Sequence, residues 1–183
     1  VPPAAAVDGE IDARDAVLIP GLVNGHHHFY TTLTRAHPGA LDRELFAWLR
    51  TLYPVWSRLG PEDLAAATEL ALAELMLSGC TTAADHHYVF PTGLPDALDV
   101  QVEAAARLGA RVLLTRGSMS LGESDGGLPP DVVVQDEDAI LADSARVIDA
   151  HHDAGPEAAV RIGLAPCSPF SVSERLMRES AEL

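Results

Sequence analysis

The chain has 183 residues, 48% of them hydrophobic and 21% charged, with a formal net charge of −15. That is long enough to bury one core, and the composition is that of a folded chain rather than a disordered one. The acidity argues against a nucleic-acid partner, which needs a basic footprint, and no apolar run approaches the roughly 20 residues of a membrane span.

The chain opens on "VPPAAA", without the basic leader of a secretory signal, and closes inside the amphipathic pattern "SERLMRESAEL". Both ends are therefore expected to be cut from something longer. Two cysteines, Cys80 and Cys167, are too few for a disulfide framework, so a cytoplasmic protein with reduced thiols is expected.

In chain order, "AVLIPGLVNGHHH" is a continuous apolar run bounded by Gly and Pro, the pattern of a strand buried on both faces. "LDRELFAWLRTLYPVWSRL" has helical spacing, with Leu41, Leu45, Trp48, Leu49 and Leu52 on one side, and Pro54 is expected to interrupt it. "GPEDLAAATELALAELMLSGC" starts with Pro and acids and stops at Gly79, as a helix should. A short strand in "TTAADHHYVF", a helix in "DALDVQVEAAARLG" and a strand in "ARVLLTRGSMS" follow. After the loop "LGESDGGLPPDVVV" come a helix in "DEDAILADSARVIDAHHDAG", a fourth strand in "AAVRIGLAPCSPFSVS" and the start of a last helix.

Strand and helix alternate four times, which implies a parallel sheet with right-handed crossovers. An open doubly wound sheet would place a glycine-rich phosphate turn after its first strand, but here that turn is "NGHHHFY". Part of an eight-stranded barrel fits better, because titratable residues collect where strands end: His26 to His28, Asp85 to His87, Arg116 to Ser118, and Cys167 with Ser168.

On a strand, His26 and His28 share one face while His27 points away. Two imidazoles about 7 Å apart along the backbone can converge on one ion, and imidazole suits zinc, iron or nickel better than calcium or magnesium. The alternative is a pair of surface or capping histidines. Asn24, just upstream, is placed to orient them or to hold the turn.

These residues also carry a resemblance. "PGLVNGHHH" is similar to the first-strand signature of the amidohydrolase superfamily, metal-dependent hydrolases on a (β/α)8 barrel. "LFAWL", "GCTTAADHHYVFP" and "RIGLAPCSPFSVS" follow in the order of its deaminase and triazine-hydrolase branch, and "TRGSMSLGESDGGLPP" resembles the 8-oxoguanine deaminases within it. The resemblance runs from about Val17 to the end. It implies that residues 17–183 are the first four β/α units of the barrel, and that residues 1–16 are the tail of a flanking β-subdomain. It also implies one divalent metal, zinc or alternatively iron, bound by His26 and His28. Further ligands and proton-transfer groups on strands five, six and eight would lie beyond Leu183, so no catalytic residue is assigned within the chain.

The expected reaction is hydroxide attack on a purine-like ring with release of ammonia. Its rivals are chloride or alkylamine release from a triazine, and a half-barrel that only binds. The partner is a small heterocycle, and the parent enzyme is expected to be a homo-oligomer.

Candidate substrate contacts are Trp48, His86, His87, Arg116 and Cys167, each with a plainer alternative. Trp48 is either a platform for a planar ring or helix core. One of His86 and His87 should point inward, but a register slip of one residue exchanges them. Arg116 either meets a substrate oxygen or pairs with an acid of the long loop. Cys167 lines a pocket or is a small buried hydrophobe. Glu123 and Asp125, on the glycine-rich loop, and His151 and His152, at a helix end, are expected to be solvated or structural.

Overall fold

The computed structural model describes Gly9 and residues 11–183. Four strands, β1 (Leu22–His27), β2 (Cys80–His87), β3 (Val112–Ser118) and β4 (Val160–Pro166), form one parallel sheet in the order β1-β2-β3-β4. Each strand is laid beside its predecessor with no reversal of direction, so the sheet has no switch point of the doubly wound kind. Five helices accompany it: α1 (Leu45–Trp56), α2 (Pro61–Leu77), α3 (Ala97–Leu108), α4 (Glu137–His151) and α5 (Glu174–Glu182). α2 packs on β2, α3 on β3 and α4 on β4, while α2, α3, α4 and α5 pack on one another in sequence.

The helices start and stop where local chemistry requires. Asp63 accepts the Gly60 amide in front of α2 (3.0 Å), Asp136 caps α4 by accepting the Ala139 amide (3.1 Å), and Ser173 caps α5 through Leu176 (3.0 Å). α3 ends on Gly109, whose φ of +65° is open to glycine at little cost.

Three expectations are corrected. Pro54 does not interrupt α1: it lies in the last turn, so it removes a single hydrogen bond close to the helix end, and the helix runs on to Trp56. α1 also begins only at Leu45, because Ala36 and Asp42 upstream take positive φ, which leaves Leu41 outside the helix and exposed. Nor is the first strand buried on both faces. It starts at Leu22, and Leu22 and Val23 are 56% and 71% exposed, with β2 the one strand beside β1 among the described residues. The expected β-subdomain tail falls mostly on residues 1–8 and 10, outside the described residues, and residues 11–16 hold no strand.

The core lies between the sheet and its helices, with Leu64, Leu72, Leu98, Leu114 and Val147 all essentially buried. Along β3, Val112, Leu114 and Arg116 share the helix-facing side by the period of two. Behind that side an ion network joins two helices. Arg146 of α4 holds Asp99 of α3 (2.7 and 3.0 Å), and His151 at the end of α4 meets the same carboxylate at 2.7 Å. Among the described residues, no helix is long and apolar enough to cross a membrane.

Two consequences can be measured. A Cβ at Gly117 would fall 2.4 Å from the His87 carbonyl and 2.6 Å from Tyr88 Cβ, so Gly117→Ala should lose about 1–3 kcal/mol in urea denaturation. The donors from Arg146 and then His151 hold the Asp99 carboxyl down at about 2, against the pull of burial. A depressed carboxylate stabilises above its unfolded pKa of about 3.9, and this contribution disappears as pH falls through its folded value. Asp99→Asn should therefore cost about 1–2 kcal/mol at neutral pH and flatten the loss of stability between about pH 5 and pH 2.

Candidate active site

The strands present alternate side chains to opposite layers, and this separates the histidines. His26 and His28 point to the open face of the sheet, and their Nε2 atoms come within 3.2 Å of each other. The rings meet edge to face, with centroids 4.9 Å apart. His28 Nδ1 lies 2.7 Å from the His86 carbonyl oxygen, which can only accept, so Nδ1 carries the proton and the neutral ring's Nε2 keeps its lone pair. Burial lowers the pKa of His28, which favours this neutral form. Upstream, the Asn24 side chain accepts the His26 amide at 3.1 Å and so holds the turn.

This arrangement passes a test for a shared cation. Two nitrogens each about 2.0–2.1 Å from a zinc ion, at a tetrahedral angle, lie about 3.4 Å apart, close to the separation found. Two imidazoles make up half of a four-coordinate shell. Among the described residues no group of three or more His, Cys, Asp or Glu could complete it.

His86 extends the pair. Its ring stacks on His26 with centroids 4.3 Å apart and planes at 24°, and burial lowers its pKa. Together His26, His28 and His86 line one end of a cleft of about 450 Å³. Trp48 and Cys167 line it as well, so five of the seven residues singled out in the sequence meet there.

The other two do not reach it. His87 shares the helix-facing side of β2 with Asp85 and is fully buried, its ring 5.3 Å from Tyr30 and 5.0 Å from Phe90. Burial pushes its pKa down to about 3, so it stays neutral. Arg116 faces the helix layer for the same reason of parity. Its guanidinium donates to Asp143 (2.9 Å), Gln135 (2.8 Å) and the Gly117 carbonyl (2.6 Å), and lies 4.0 Å over the Phe90 ring. Its acidic partner is on α4, not in the long loop. Glu123 and Asp125 are exposed, and His151 and His152 are engaged with Asp99 and the Ile162 backbone.

The cleft also has walls that single-residue reading missed. α1 contributes Phe46 and Tyr53 beside Trp48, Tyr88 follows β2, and the segment after β4 brings Ser168, Phe170 and Ser171. From the long loop, Leu128 and Pro129 line it in place of the acids. Phe46 and Phe170 meet edge to face, 5.9 Å apart. The available signal was the density of aromatics in "LFAWLRTLY", which exceeds what one helix core requires.

Behind His26 and His28 sits Asp85, fully buried, which accepts the Phe29 amide and the Gln101 side chain, each at 2.6 Å. Burial raises its pKa to about 7, against the opposing effect of these donors.

The chain is similar to known proteins. A model of the family described as "Amidohydrolase family" matches residues 17–183. The chain is 60% identical to 8-oxoguanine deaminase of Pseudomonas aeruginosa over 99% of its length and 40% of that protein's. It is 36% identical to hydroxydechloroatrazine ethylaminohydrolase of Pseudomonas sp. (strain ADP) over 94% of its length and 37% of that protein's. Its fold matches the zinc complex of atrazine chlorohydrolase TrzN from Arthrobacter aurescens TC1, with a TM-score of 0.84 and 33% identity over 89% of this chain and 38% of that one. The chain thus spans about two fifths of the length of these relatives. Its four strands and their helices are successive units of a (β/α)8 barrel, and the chain belongs to the amidohydrolase family.

Proposed function

We propose that this chain carries two ligands of a divalent-metal centre, and part of the substrate pocket, of an aminohydrolase that releases ammonia from an oxopurine of the 8-oxoguanine type. The observation that carries this reading is the approach of His26 Nε2 to His28 Nε2 at one end of an aromatic cleft, with the His28 tautomer set by the His86 carbonyl. The substrate class is supported by the likeness to the P. aeruginosa deaminase.

Zinc is the metal these donors suit best, and when bound it supplies Lewis acidity and activates water near neutral pH. The chain's own residues do the rest of what is assigned here. His26 and His28 would hold the ion through Nε2, and His86 keeps both rings in place by stacking and by its carbonyl. Trp48, Phe46 and Phe170 offer faces and edges to a flat ring and exclude water from it. Ser168, Ser171 and Cys167 give the pocket a polar edge for the ring's oxygen and nitrogen substituents.

Hydrolysis of a triazine is the second reading, favoured by the match to the chlorohydrolase TrzN and to the ethylaminohydrolase. The two differ in leaving group. Assays of ammonia from 8-oxoguanine, and of chloride and alkylamine from substituted triazines, distinguish them. Ammonia from the oxopurine at the higher kcat/KM is expected, and the reverse order would replace the first reading by the second.

In the whole protein, His26→Ala and His28→Ala should each bring bound metal, measured by elemental analysis, and ammonia release down to background together. Trp48→Ala should raise KM about 3- to 10-fold with little change in kcat, and Trp48→Phe should recover most of it, as steady-state kinetics can check.

A further inference from the structure

β1 pairs irregularly just where its ligands sit. Its register with β2 runs Leu22 to Cys80, Val23 to Thr82, Asn24 to Ala83 and His27 to Asp85, with shifts after Leu22 and between Asn24 and His27. Strand pairing ends at His27, so the ladder does not place His28. Two other bonds span the gap. His28 Nδ1 donates to the His86 carbonyl, and one residue on, the Phe29 amide donates to Asp85 Oδ1 at 2.6 Å. Both acceptors belong to the end of β2, so the backbone around His28 is stapled there twice.

The Asp85 carboxylate is an expensive choice for such a staple. It is completely buried, and no Arg, Lys or His pairs with it among the salt bridges of the described residues. Burying an ionisable carboxyl without a counter-ion is costly whether it keeps its charge or takes up a proton, so stability alone does not account for it. What a carboxylate provides is short, strong, directional hydrogen bonding and two acceptor oxygens. The second oxygen is used: Gln101 Nε2, fully buried on α3, donates to Oδ2 at 2.6 Å. The carboxylate is thereby fixed from the helix layer at one oxygen and grips the chain beside His28 with the other. Asp85 faces away from the cleft and touches no substrate position.

We propose that Asp85, anchored by Gln101, is a positioning residue that sets the His28 imidazole for metal binding by holding the Phe29 amide where strand pairing has ended. This rests on the reading of His26 and His28 as ligands. The test is metal affinity, measured on the whole protein by competition with a chelator, together with the visible spectrum of the cobalt(II)-substituted form. Asp85→Ala should weaken metal binding about 10- to 100-fold and shift the cobalt bands. Asp85→Asn keeps one oxygen for the Phe29 amide and can turn its NH₂ to Gln101 Oε1, which now has no partner, so it should recover to within about threefold of wild type. Gln101→Met, which removes the anchor but leaves the carboxylate, should weaken binding about 3- to 10-fold, and it decides the matter if Asp85→Ala does not fold.

Ser144→Ala, which removes a buried hydrogen bond in α4 far from the ligands, controls for simple destabilisation. It should lower Tm without changing metal affinity. Wild-type affinity in folded Asp85→Ala or in Gln101→Met, or an Asp85→Asn as poor as the alanine variant, would overturn the proposal. Failure of the underlying reading looks different: metal would then persist in His28→Ala.

Discussion

Everything at the open end of the sheet depends on one proton. Because the His86 carbonyl can only accept, it holds a hydrogen on His28 Nδ1 and leaves Nε2 free to meet Nε2 of His26 across 3.2 Å. Were that tautomer reversed, His28 would present an N–H toward His26 in place of a lone pair. Burial acts in the same direction, since it disfavours a charged His28. A single carbonyl on the neighbouring strand therefore leaves a lone pair on the His28 Nε2 that faces His26. The aromatic walls around them set what kind of molecule can lie alongside.

The period of two distributes the remaining titratable groups. On β1 and β2 the open face receives His26, His28 and His86, while the helix-facing layer receives Asp85 and His87. On β3 the same layer takes Arg116. The two layers have different physical roles. In the open layer His26 is exposed and His28 and His86 are half-buried, so all three are available. In the closed layer groups are satisfied by neighbours, as Arg116 is by Asp143 and Gln135, or kept neutral, as His87 is among Tyr30 and Phe90.

This division explains what could be read in the sequence. The alternation of strands and helices, the ends of α2 and α3, and the convergence of His26 with His28 follow from local patterns that tertiary packing did not override. Arg116 was legible in principle, since it stands two residues beyond Leu114 and four beyond Val112 on a face that must be apolar or paired. His86 and His87 were not, because only the observed register with β3, Asp85 opposite Leu114 and His87 opposite Arg116, fixes which one turns inward. The cleft walls were the least accessible, since Tyr53, Tyr88, Leu128 and Phe170 come from four separate segments that only the fold brings together. Pro54 misled for a simpler reason: a last-turn proline does not obey the rule for a helix interior.

The edge-to-face meeting of Phe46 and Phe170 has a mechanical implication. One ring comes from α1, between the first two strands, and the other from the segment after the fourth, so this contact spans the full arc of the sheet. A guest seated between Trp48 and Cys167 touches the same two ends. Occupancy and curvature are then thermodynamically linked: a snugly filled cleft resists flattening of the arc, and an arc held at the right bend costs the guest less to enter.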